Sequence, residues 1–183
     1  MRKMICCIFA VAMMAGCMSG CGEDNKKSGA SSEEKAVENF MSTFLGADID
    51  GMLSASAPQE FWDFYSDMSG LTNERFVYQL ARVEDGDEFH SEIDEWNQYL
   101  DDEDIKIKDI EIKVMEEVDN ELFSYVSLAM QNAGVDGKVE EVYWMDTDYD
   151  ISGLLYLIGG KWYFGTEWLL EDPLFEVNEM YEE

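Results

Sequence analysis

The chain has 183 residues, with 41 Asp and Glu against 12 Lys and Arg and a formal net charge of −29 at pH 7. That balance excludes nucleic acid as a partner, because phosphate binding needs clustered Lys and Arg, and it excludes basic adhesion to anionic lipid. A hydrophobic content of 46%, with 13% aromatics, excludes a disordered chain and suffices for one core in one domain.

Residues 1–21 read MRKMICCIFAVAMMAGCMSGC. Arg2 and Lys3 give a positive start, residues 4–14 an apolar run, and small residues then lead to cysteine, which is the organisation of a secretory signal. The run is too short for a retained span, which needs about 20 apolar residues. The segment resembles bacterial lipoprotein signals, in which a small residue directly precedes the lipidated cysteine. Two positions fit, Met14-Ala15-Gly16-Cys17 and Met18-Ser19-Gly20-Cys21. Cys21 is favoured, because it leaves a full apolar core before the cut and a polar segment directly after it. The four cysteines are Cys6, Cys7, Cys17 and Cys21. Cleavage before Cys21 therefore leaves one thiol, taken up by a palmitate-type acyl anchor. No disulfide, thiolate nucleophile or Cys-based metal site is expected in the mature body.

Residues 23–32 (EDNKKSGASS) are small and polar and read as a flexible tether with a reach of roughly 15–20 Å. The expected organisation is a signal peptide over 1–20, the lipidated cysteine and tether over 21–32, and a single α+β domain over 33–183. The domain opens with a helix. Ser31 and Glu34 have capping-box spacing, Val37, Phe40, Met41, Phe44 and Leu45 form a helical stripe, and Gly46 is placed to end it. Asp48 caps a second helix through Ile49, Met52 and Leu53. Pro58 suits the first position of a third, with Phe61, Phe64, Tyr65 and Met68 inward and Trp62 widening the face. Thr72 or Asn73 caps a fourth, and a fifth carries Phe89, Ile93, Trp96 and Leu100.

The period changes at Asp101. Ile105 and Ile107, then Ile110, Ile112 and Val114, alternate with polar residues, and the phase slips near Lys108-Asp109. A β-bulge within one strand accounts for the slip; a strand beginning at Ile110 is the alternative. Asp119 caps a helix with Leu122, Val126, Ala129, Met130 and Ala133 inward, closed by Gly134. Over 138–151 a strand places Val139, Tyr143, Met145, Tyr149 and Ile151 opposite Glu140, Trp144, Asp146, Asp148 and Asp150. Gly159-Gly160 is a two-residue hairpin loop, since both positions tolerate positive φ. It sets Ile158 opposite Lys161, Leu157 opposite Trp162, Tyr156 opposite Tyr163 and Leu155 opposite Phe164. Leu155, Leu157, Trp162 and Phe164 thus share one core-facing side. The tail after Pro173 is weakly patterned and reads as partly loose.

The fold class expected is α+β, a helical N-terminal half packed on a curved antiparallel sheet. With its opening helix (EEKAVENFMSTFLGADIDGML), closing hairpin (LYLIGGKWYF) and lipidation box, the chain resembles lipoproteins of Gram-positive gut anaerobes with a nuclear-transport-factor-2-like cone. The resemblance covers roughly residues 31–170. It implies a cone-like domain and carries no catalytic motif. Enzymes of that superfamily place an Asp or a His–Asp pair inside the cone, which the apolar inward positions here do not match; Asp109 at the slip is the nearest candidate.

Other chemistry is weakly signalled. Asp146, Asp148 and Asp150 imitate the opening of a calcium loop, but Ile151 stands where glycine is needed and Leu157 where a bidentate Glu is needed. An exposed acidic strand edge is the better reading. His90 is the only histidine and has no cysteine or second histidine to complete a zinc site. Neither a cofactor nor a metal is assigned, and no catalytic residue. The aromatic load, Trp162 and Phe164 with Leu155 and Leu157 above all, either fills the cone or walls a pocket for a small apolar ligand. The function expected is that of a membrane-anchored extracytoplasmic lipoprotein without enzymatic activity, held to the membrane by its lipid and binding an envelope protein or ligand. A small cone-fold isomerase or hydrolase, or a carrier for a small apolar ligand, is the alternative.

Overall fold

The structure, a computed structural model, describes residues 29–149 and 151–180. Among them are seven α-helices and one four-stranded antiparallel sheet, so the fold class is α+β. Five helices come first: α1 (Glu33–Leu45), α2 (Ile49–Ser56), α3 (Gln59–Ser69), α4 (Asn73–Ala81) and α5 (Gly86–Asp102). Strand β1 (Ile112–Glu117), helix α6 (Asn120–Asn132), strands β2 (Val139–Thr147), β3 (Ser152–Ile158) and β4 (Lys161–Thr166), and helix α7 (Glu167–Glu179) follow. The sheet order is β1-β2-β3-β4.

Helix starts follow local chemistry. The carboxylates of Asp48 and Asp119 accept from backbone N–H groups of Gly51 (3.0 Å) and Leu122 (2.9 Å), satisfying donors that a first turn leaves open. Thr72 caps α4. Ser32, not Ser31, caps α1, accepting from the Lys35 N–H at 3.3 Å. Pro58 sits one residue before the first turn of α3, at its cap.

The hairpin between β3 and β4 has the expected register, with Leu157 paired to Trp162 and Leu155 to Phe164. Gly159 and Gly160 both have positive φ (55° and 72°). Alternation along these strands divides the sheet into two faces. Leu155 and Phe164 face α1, whose Phe40 ring meets Phe164 edge-on at 5.3 Å. Leu154, Gly165, Tyr156 and Tyr163 lie on the other face. There a Cβ on Gly165 would come within 2.6 Å of Leu170 on α7, so glycine is what lets the helix approach. Both sides of β3 and β4 are therefore covered, as the unbroken apolar run at 154–158 requires.

Further expectations are corrected. Ile107–Asp109 is a 3₁₀ turn that buries Ile107, and β1 begins only at Ile112, so the phase slip marks an element boundary instead of a bulge at Lys108. Register shifts do occur, between Ile112 and Val114 and between Val139 and Glu141. The second shift puts Val139 on the same side as Val142 and Trp144, not with Tyr143 and Met145, and β2 ends at Thr147 before a turn. Strand β2 lies between β1 and β3, so Asp146 is paired on both sides and half-buried, not on an edge.

The segment after Pro173 is helix, not loose tail. Pro173 lies inside α7, where it removes one helical hydrogen bond, yet Leu169, Leu170, Leu174 and Val177 are buried along one side. Asn178 ties this helix to α6 by donating to the Tyr125 carbonyl at 3.0 Å. At the other end, the described part of the segment read as tether is tied to the sheet. The Ala30 N–H donates to the Trp162 carbonyl at 2.7 Å, the Trp162 N–H returns a bond at 3.0 Å, and Ala30 is buried against the free side of β4.

Candidate functional site

The residues singled out in the sequence are brought together in part. Leu155, Leu157, Trp162 and Phe164 share a face, as the hairpin register dictates. Leu155 and Phe164 are wholly buried, Leu157 is half-buried, and Trp162 rests near Tyr143 with ring centres 6.2 Å apart. Phe40 and the parallel ring of Phe44, 6.2 Å away, close this side. The aromatics there form packed core. Asp109 is exposed on the 3₁₀ turn and His90 is exposed on α5, so neither stands in an enclosed site. Asp148 accepts from the Glu111 N–H at 3.2 Å, tying the β2–β3 turn to the chain just before β1. Asp150, Cys17 and Cys21 lie outside the described residues. Among those described, no three His, Cys, Asp or Glu side chains converge as a metal ligand set. No described helix is long and apolar enough to cross a membrane.

A cavity opens on the opposite face of the sheet, with a volume of about 320 Å³. Three elements build it. Trp144 on β2 and its cross-strand neighbour Leu154 on β3 form the floor. Leu122 and Tyr125, one helical turn apart on α6, form one wall. Leu170 and Leu174, in the same relation on α7, form the other, and the half-exposed Phe175 stands at the mouth. The mouth also carries Glu167, Glu171 and Asp172, all exposed.

α7 owes its position to the core on its far side. The Tyr65 hydroxyl of α3 donates to the Glu176 carboxylate at 2.9 Å. Burial first, and then that bond with the nearby charges of Glu176 and Asp172, hold the Tyr65 phenol well above its ordinary range. The arrangement is an apolar chamber with charge confined to its opening, suited to holding a ligand by its apolar body.

Two features hide this site in the sequence. Trp144 alternates with acidic residues, which predicts a polar side, whereas helix α7, laid over Leu154 and Gly165, makes that side a second interior. The available signal was the Leu170/Leu174/Val177 spacing, which continues through Pro173. No family model matches the chain, and no curated protein or solved structure is significantly similar to it.

Proposed function

We propose that this chain is a lipoprotein anchored through Cys21 at the extracytoplasmic face of the cell membrane, and that its folded domain binds a small ligand there without converting it. The observation that carries the binding reading is the apolar cavity between α6, α7 and the sheet. The anchoring rests on the signal-like segment 1–21 and its small-small-Cys ending. A nuclear-transport-factor-2-like cone is the finer fold proposed. Its support is the order helices, strand, helix and three-stranded meander, together with two register shifts of the kind that bend a sheet. The binding reading is preferred over an isomerase or hydrolase because the carboxylates of the cavity stand in solvent at its mouth, while its floor and walls are apolar and aromatic.

Native mass spectrometry of the protein extracted from its own membranes tests both halves. The chain is expected to begin at Cys21 with the added mass of acyl chains and to retain a small molecule. Leu122→Trp, which fills the cavity from a half-buried wall position, is expected to fold and to lose that molecule. A wild-type spectrum free of small molecules, or an unchanged adduct in Leu122→Trp, defeats the binding reading. An unacylated chain defeats the anchor.

A further inference from the structure

We propose that the cavity between α6 and α7 takes a small organic cation, an ammonium group carried on an apolar body. This rests on the binding reading above and adds the charge class of the ligand.

The volume of about 320 Å³ limits the occupant to a small molecule, at the lower end of the roughly 300–1,000 Å³ of ligand pockets. The floor contains the indole of Trp144, and indole is the aromatic group that attracts a cation most strongly. Three carboxylates stand at the mouth, and a fourth lies on the same face of the sheet outside the lining. Glu167, Glu171 and Asp172 belong to α7. Glu116 is the β1 partner of Trp144 and so shares its face of the sheet from the opposite direction.

No Lys or Arg lines the cavity. The ion pairs found among the described residues, Lys35–Glu38 and Lys113–Glu111, use none of these four acids. A helix dipole accounts for Glu167 in the first turn of α7 but not for Glu171 and Asp172, because that effect fades within one turn. Carboxylates beside low-dielectric walls concentrate their field at the opening, and the net charge of −29 adds to it. An anion is repelled by this field, a cation is drawn to it, and a neutral ligand gains nothing from it.

The test is a titration of the full-length protein in non-ionic detergent with benzyltrimethylammonium, followed by calorimetry and tryptophan emission. Its neutral isostere neopentylbenzene and the anion phenylacetate serve as comparators. The cation is expected to bind saturably, about tenfold or more tighter than neopentylbenzene, and to weaken as salt is raised. Phenylacetate is expected not to bind. The triple variant Glu167→Gln/Glu171→Gln/Asp172→Asn changes exposed positions only, and is expected to lose about tenfold in cation affinity. Trp144→Phe is expected to remove most of the emission change.

Equal binding of the cation and neopentylbenzene, or an unchanged affinity in the triple variant, overturns the charge assignment and leaves the cavity reading standing. Cation binding that persists in Leu122→Trp places the ion elsewhere on the acidic surface and also overturns it. Failure of both probes while a native small molecule is still retained overturns it as well.

Discussion

Replacing Trp62 with Ala is expected to lower the stability of the domain by about 3–5 kcal/mol, the range for deleting a fully buried large aromatic. Trp62 is 0% exposed at the centre of the helical half. Its ring stacks on Phe76 at 5.5 Å and meets Phe61 edge-on at 5.0 Å. Its indole N–H donates to the Leu53 carbonyl at 2.7 Å, so it also fastens α3 to the end of α2. A domain of this size holds a total stability of about 5–15 kcal/mol, so the loss is a large fraction of it. The expected drop in Tm is roughly 10 °C or more. Trp62→Phe keeps most of the packing and forfeits the hydrogen bond, and should fall between wild type and Trp62→Ala. Thermal melts of the three proteins decide this, and a Tm for Trp62→Ala within about 2 °C of wild type contradicts the packing described.

The second large effect is alkaline. Tyr156 is wholly buried on β3, and its hydroxyl donates to the Ser56 carbonyl, one of the acceptors that the end of α2 leaves open. Burial pushes its phenol well above the ordinary value, with the neighbouring Tyr163 adding to the shift. Tyr65 is shifted in the same direction by burial and by Glu176. A tyrosine is neutral when protonated, so a raised folded-state pKa leaves stability intact below about pH 10. Above that, the unfolded chain releases protons that the folded chain keeps, and stability falls as pH rises towards the folded value. For Tyr156 the slope is about 1.4 kcal/mol per pH unit. Tyr156→Phe should therefore cost about 1–3 kcal/mol at neutral pH, by stranding the Ser56 carbonyl, while flattening the alkaline limb. Denaturant midpoints between pH 8 and 11 measure this; equal alkaline slopes in the two proteins would remove Tyr156 as the cause.

How far the sequence could be read follows from where each feature gets its energy. The hairpin at Gly159-Gly160 and the caps at Asp48 and Asp119 are local, decided by backbone freedom and a nearby carboxylate, and they stand where their residues predict. The α1 stripe is equally legible, because all six of its buried residues follow helical spacing. Helix α7 is not, because Pro173 opposes it locally and only burial of Leu169, Leu170, Leu174 and Val177 overrides that cost. The site shares this limit. It needs α7 laid over the face of Leu154, and nothing within ten residues of Trp144 announces that helix. Leu155, Leu157, Trp162 and Phe164 were conspicuous as an aromatic and aliphatic cluster, yet such a cluster fits a filled core as well as a pocket, and here α1 fills it.

The most direct measurement is a crystal structure of the protein purified from its own membranes without delipidating washes. Ordered density for a small molecule is expected between α6 and α7, against Trp144 and Leu154, with its polar end at Glu167, Glu171 and Asp172. Leu170 and Leu174 collapsed onto Trp144 with no room between them, or a ligand held instead among Leu157 and Trp162, would contradict it.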